Sequence, residues 1–247
     1  MVVSSPQEFT AAVAEHPFRD VAFDAEALAR ASASLAESGL LIVGERHGVR
    51  ETPSVLYALA VALGTRAVAL EWSHEEMDDP VQAFFRTGAF DFDQLWSLPS
   101  PAEFFCGDGR IAAGHFALLD QLRRERRLDQ VIVFDRLDPE PVSDWREQAR
   151  VREPELAGRL LAEWGRQPLL VLTGALHAQL AAPDYETMAG YLGRRLRGLQ
   201  PVMLGYESGH CWSGGEMHDA SSPLPEAPIT FRLGVATPAV VPGPFPT

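Results

Sequence analysis

Four short apolar runs in this chain each stop on a polar or charged group, and that arrangement narrows what the chain can fold into. Residues 40–43 give way to Gly44, Glu45, Arg46 and His47. Residues 67–70 stop at Glu71, 131–134 at Asp135, and 169–172 at Thr173 and Gly174, with His177 just beyond. Apolar runs without alternation read as strands buried on both faces, the habit of parallel sheets. Polar groups gathered past the carboxyl ends of such strands mark the ligand crevice of an open α/β sheet. The expected fold class is therefore α/β, with a mainly parallel central sheet flanked by helices.

The intervening segments fit that scheme. Apolar positions at helical spacing over 52–63, closed by Gly64, make a β-α-β unit with parallel strands and a right-handed crossover. Short helices are expected at 6–16 and 25–37, and an amphipathic one at 112–126. A charged helix over 141–164 should break at Pro154, and one over 73–86 should split at Pro80. A helix at 185–196 and a strand at 201–205 complete a core spanning about 38–206. The aromatic-rich helical insertion between Trp72 and Gly109 is expected to form a lid on the crevice. Residues 207–247 form a Gly/Pro-rich extension, with an edge strand at 229–233, a flexible loop at 210–218 and a loose tail at 238–247. With no repeat or linker, 1–247 reads as one domain.

Composition excludes several chemistries. Among 247 residues, 21 are basic and 34 acidic, giving a net charge of −13, and every basic residue is Arg. Without Lys there is no Schiff-base amine and no P-loop lysine. The acidic balance disfavours nucleic acid and anionic membrane as partners. No run reaches the roughly 20 apolar residues of a membrane span. The N-terminus lacks a signal-peptide pattern, and two cysteines, Cys106 and Cys211, fit a reducing compartment. The expected location is cytoplasmic and the expected partner a small molecule. Nothing in the sequence sets an oligomeric state.

At the strand ends, Glu45 and His47 share one side of an extended segment, and Glu51 follows four residues later, within reach if a helix has begun. A carboxylate beside an imidazole holds its tautomer and raises its basicity, as a general base needs. Glu71, on a fully apolar strand, requires a partner such as His47 or an Arg. His177 stands one turn past a buried strand, after a glycine that permits close approach. Asp108 and Arg110 and the Asp135–Arg136 pair are weaker candidates. His74 reads as solvated, and Ser208 sits one place too late for a G-x-S-x-G nucleophile.

Gly44-Glu-Arg-His-Gly48, Ala69-Leu-Glu71 and Thr173-Gly-Ala-Leu-His-Ala178 resemble, in order and placement, the erythromycin esterase/ChaN-like/Tiki superfamily. The family's Arg-Asp/Glu-x-Met-Ala element is approximated by Arg146-Glu-Gln-Ala149, without the Met. The resemblance implies an α/β fold with its site at these strand ends. Esterase members open lactones with His-activated water and no metal, ChaN-like members bind haem, and Tiki-like members are metal-dependent proteases. The residues carry over as His47 for the base, Glu45 and Glu71 for its carboxylate neighbours, and His177 for the late histidine.

The leading expectation is a metal-independent hydrolase acting on an ester, lactone or similar carbonyl of a bulky small molecule. Substrate would be held by Arg46, Glu51, Arg110 or Arg146 and by the apolar Trp96, Phe104 and Phe105. Two alternatives share the pocket. One is a His/Glu acid–base cyclase or lyase of small-molecule biosynthesis. The other is a haem or divalent-metal binder, for which Tyr206 or His210 could serve as an axial ligand.

Overall fold

The computed structural model describes residues 1–99, 102–136 and 144–243. The four apolar runs become strands β2 (Leu40–Glu45), β3 (Ala67–Ser73), β4 (Gln130–Asp135) and β5 (Leu169–Gly174), following a short N-terminal strand β1 (Val2–Val3). Strands β6 (Val202–Ser213), β7 (Glu216–Asp219), β8 (Ile229–Ala236) and β9 (Val241–Pro242) follow. The main sheet runs β4-β3-β5-β2-β6-β7, with β8 also paired to β6. Every pairing in it is parallel except β6–β7. The β2–β3 crossover thus leaves a gap of one strand, which β5 fills from 100 residues downstream in register with both neighbours.

Helices pack on both faces. On one lie α1 (Pro6–Ala14), α2 (Ala25–Ser38), α3 (Thr52–Leu63) and α6 (Ala113–Arg124), whose apolar residues join those of the sheet in the larger core. On the other lie α7 (Trp145–Glu163) and α8 (Met188–Gly193). Local chemistry sets the helix ends: Ser5 caps α1 ahead of Pro6, and Asp24 caps α2. No helix among the described residues is long and apolar enough to cross a membrane.

Several expectations need correcting. Helix α4 (His74–Thr87) runs through Pro80, and α7 runs through Pro154. In α4, burial of Met77, Pro80, Val81 and Phe84 outweighs the missing backbone hydrogen bond. The expected start of α7 at 141 lies outside the described residues. The expected loop at 210–218 is the β6–β7 hairpin: Gly214 and Gly215 both take positive φ, which turns the chain back on itself. The tail is held as far as residue 243, since β9 pairs with β1 and Val241 is buried; residues 244–247 lie outside the described residues.

The aromatic insertion, comprising α4, α5 (Phe92–Trp96) and a 3-10 turn (Glu103–Phe105), packs inward. Phe104 is fully buried, with ring centroids 5.9 Å from Phe9, 5.2 Å from Trp96 and 4.9 Å from Phe105. Trp96, Phe104 and Phe105 belong to this core and do not line the crevice. A sequence cannot distinguish an aromatic aimed at substrate from one aimed at α1; here α1 supplied Phe9 as the packing partner.

Candidate active site

A cavity of about 500 Å³ opens at the carboxyl ends of β2, β3 and β5. Glu45, His47, Glu71 and His177, spread over more than a hundred residues of chain, meet on its floor. Glu45 ends β2, buried, and its Oε1 lies 3.0 Å from His47 Nδ1. That contact assigns the Nδ1 proton to the Glu45 side and leaves Nε2 facing the crevice. The ring needs room: a Cβ on Gly174 would come within 2.9 Å of His47 Nε2. Glycine at the end of β5 lets the imidazole lie across the strand.

Glu71 is the hub. Its Oε2 accepts from Thr173 Oγ1 at 2.6 Å and from the Gly174 N–H at 2.7 Å, both at the end of the adjacent strand. Its Oε1 faces His177 Nε2 at 3.4 Å, His47 Nε2 at 3.8 Å, Arg110 Nη1 at 3.3 Å and Arg152 Nη2 at 3.4 Å. His177 Nδ1 lies 2.5 Å from Glu153 Oε1, and Glu153 Oε2 accepts from the Met188 N–H at 2.6 Å, so the start of α8 fixes the carboxylate that fixes the histidine.

The two half-buried guanidiniums are tied from behind. Arg110 pairs with Asp108 at 2.6 Å, Asp135 at 2.6 Å and Glu103 at 3.2 Å. Arg152 Nε donates to Asp135 Oδ1 at 3.1 Å, and its Nη2 pairs with Asp135 Oδ2.

These neighbours set the protonation states. Burial alone would push the Glu71 carboxyl up, but the charges of His177 and Arg110, the His177 hydrogen bond and the His47 charge outweigh it and hold it well below the usual range. Burial opposes charge on His177 too, yet the Glu71 charge and the bonds to Glu153 and Glu71 raise it to about 9. At neutral pH His177 is an imidazolium. For His47, burial is outweighed by the Glu45 hydrogen bond and the Glu71 and Glu45 charges, and its pKa is raised. Burial, with Asp135 nearby, lifts Glu103 to about 8 against the pull of Arg110.

Other sequence candidates fall elsewhere. Glu51 lies outside the crevice: α3 begins at Thr52, so Glu51 takes the N-cap position, without a side-chain capping bond, rather than sitting one helical turn past His47. Its carboxylate accepts from the Thr237 N–H at 2.8 Å and Oγ1 at 2.6 Å, tying down the C-terminal extension. Arg146 is also outside, with Nε 3.1 Å from Asp184. It precedes Glu153 by two turns, about 10 Å along the axis, which puts it beyond the rim. Arg46 and Arg110 do line the cavity. His74 is half-buried, its Nδ1 2.7 Å from the Asp135 carbonyl oxygen.

The sequence reading missed Arg152, Glu153 and Tyr185, and the wall formed by Pro223, Leu224 and Pro225. A signal existed for the first two, because the Arg-Glu pair of 146–147 recurs at 152–153 and the second copy is the one that turns inward.

Neither cysteine is poised as a nucleophile. The Cys106 thiol donates to Asp108 at 3.2 Å, and burial and that carboxylate push its pKa up; burial does the same at Cys211. Among the described residues no group of three His, Cys, Asp or Glu side chains is placed to hold a metal ion. The carboxylate oxygen shared by both imidazoles also faces two guanidiniums, a cationic setting that disfavours a divalent cation. Of the two residues considered for haem, Tyr206 is buried with its hydroxyl 3.3 Å from Thr52, and His210 is exposed on β6; neither lines the crevice.

Set against known proteins, the chain matches no family model and no curated protein. Its fold is similar to several solved structures. A succinoglycan biosynthesis protein aligns with a TM-score of 0.61 and 10% identity over 95% of this chain and 98% of that one. A Bacillus cereus protein aligns with a TM-score of 0.53 and 8% identity, covering 82% and 90% of the two chains. A structure described as bacterial protein toxins aligns with a TM-score of 0.50 and 13% identity over 81% of this chain; the chain spans 39% of that one's length. The likeness is one of fold.

Proposed function

We propose that the crevice hydrolyses an ester, lactone or similar carbonyl with activated water and no enzyme-bound intermediate. The observation that carries this reading is the pairing of His47 and His177 across one Glu71 oxygen, at 3.8 and 3.4 Å, with different partners behind them. His47, its Nδ1 proton held by Glu45, offers Nε2 to take a proton from water as the water oxygen attacks the carbonyl carbon. His177, held as an imidazolium by Glu71 and Glu153, steadies the developing oxyanion and then gives its Nε2 proton to the leaving alkoxide. The products are the acid and the alcohol; His47 sheds its proton to solvent and His177 regains one. Glu71 stays ionised throughout and balances whichever ring is charged.

The short motifs resemble those of a superfamily that includes esterases, and the want of a poised thiol fits attack by water. The test is turnover of a panel of nitrophenyl esters and macrocyclic lactones in ¹⁸O-labelled water. One heavy oxygen in the acid product is expected, together with loss of turnover in His47→Ala. Product free of label would point to cyclisation or elimination in the same pocket, and unchanged turnover in the variant would remove His47 from the reaction.

A further inference from the structure

Among the described residues, Arg46, Arg110, Arg152 and the His177 imidazolium line the crevice, and all but Arg46 are matched by carboxylates. Arg110 and Arg152 share Asp135 and Glu71, and His177 lies between Glu153 and Glu71. Arg46 differs. It follows Glu45 at the end of β2, where successive side chains leave opposite sides of the backbone. Its side chain therefore departs from the Glu45–His47 side and joins the wall beside Pro223 and Leu224. Nη2 donates to the Ser222 carbonyl oxygen at 3.0 Å. Nε is buried with no hydrogen-bond partner, and no carboxylate among the described residues pairs with the guanidinium. Asp219 feels its charge but is itself engaged by the Ser221 N–H and Oγ at 2.8 and 2.7 Å.

We infer that Arg46 is an anion-recognition residue, and that the crevice takes a substrate bearing a carboxylate or phosphate-type oxyanion near the bond to be broken. The inference builds on the proposed active site but not on its chemistry. A guanidinium presents five N–H donors in a planar fork that fits a carboxylate or a tetrahedral oxyanion. Leaving a buried donor unmade is costly, and an arriving oxyanion removes that penalty. Arg46 shares the crevice wall with the apolar Pro223, Leu224 and Pro225, and a charge pair formed beside apolar surface is stronger than in water. The chain's net charge of −13 opposes an anion at long range, but that field is screened beyond about 8 Å at physiological ionic strength, whereas the contact is not. Arg46 would thereby orient the substrate, with His47 and His177 acting on a neighbouring carbonyl.

The test is calorimetric titration of the whole chain with phenylacetate, phenylphosphonate and the uncharged phenylacetamide, none of which the proposed reaction consumes. The wild type should bind at least one anion tenfold or more tighter than the amide. Arg46→Gln should abolish that preference, and Arg46→Lys, which keeps the charge without the fork, should retain part of it. Equal binding of acid and amide by the wild type, or an undiminished preference in Arg46→Gln, overturns the inference. If Arg46→Gln does not fold, an undiminished preference in Arg46→Lys overturns it and a weakened one supports it. A failure of hydrolysis with anion preference intact would sink the reaction and leave Arg46 its role. Hydrolysis without anion preference would do the reverse.

Discussion

His177 approaches Glu71 Oε1 to 3.4 Å from the end of β5 while Glu153, on α7, holds the far side of its ring at 2.5 Å. A histidine between two carboxylates stays charged well into alkaline solution, and that fixes the acid of the proposed pair. His47 meets the same Glu71 oxygen at the longer distance of 3.8 Å with Glu45 behind it, and is the base of the proposed pair.

His47→Ala should lower kcat on an ester or lactone substrate by at least roughly a hundredfold, the scale of a positioned general base. Glu45→Gln keeps an acceptor for Nδ1 but removes the charge that helps raise the His47 pKa. Its kcat/KM profile should therefore shift its rising limb to lower pH, which a pH series on purified variant and wild type reads directly. A limb that stays put would mean Glu45 does not act through His47.

The wild-type kcat/KM should rise with pH as His47 loses its proton, above its ordinary 6.5, and fall near 9 as His177 loses its own. His177 also links stability to pH. Its folded pKa lies above the unfolded value of 6.5, so its contribution is fully present below about 6.5 and is lost as pH rises through about 9. Urea unfolding at pH 7 and pH 10 checks this: Glu153→Gln should lose less stability across that interval than wild type.

Arg152→Met removes a cation that touches both Glu71 and Asp135, buried carboxylates that keep Arg110 as their other guanidinium. Stripping one partner from a buried ion network costs about 3–5 kcal/mol, which chemical denaturation should register. A neutral outcome would mean water reaches these carboxylates.

Phe104→Ala should cost about 3–5 kcal/mol, the usual range for emptying a buried aromatic site, while kcat/KM of the folded variant in the proposed reaction stays within a few-fold of wild type. The measurement separates core from lid. A selective loss for bulky substrates at intact stability would return the insertion to the crevice.

Gly174→Ala tests close approach. The added methyl would press on His47 Nε2 at 2.9 Å, so kcat should fall tenfold or more with a smaller change in KM. Unaltered kcat would show that the imidazole has room to move.

The strands were legible along the chain, because unbroken apolar runs suit elements buried on both faces, and β2 to β5 formed where those runs lie. The sequence by itself also determined that Glu45, His47, Glu71, Asp135 and His177 stand at strand ends, since the switch from apolar to charged is written in the order of residues. Tertiary structure alone decided that β5 inserts between β2 and β3 and so brings His177 to Glu71. Long-range packing likewise turned Arg152 and Glu153 inward, left Arg146 outside the crevice, made Glu51 a clamp on Thr237, and sent Trp96, Phe104 and Phe105 into the core. The reason is physical: hydropathy along a chain reports how deeply a segment is buried, but which buried group a side chain meets depends on strand order and helix rotation, and neither has a local signature.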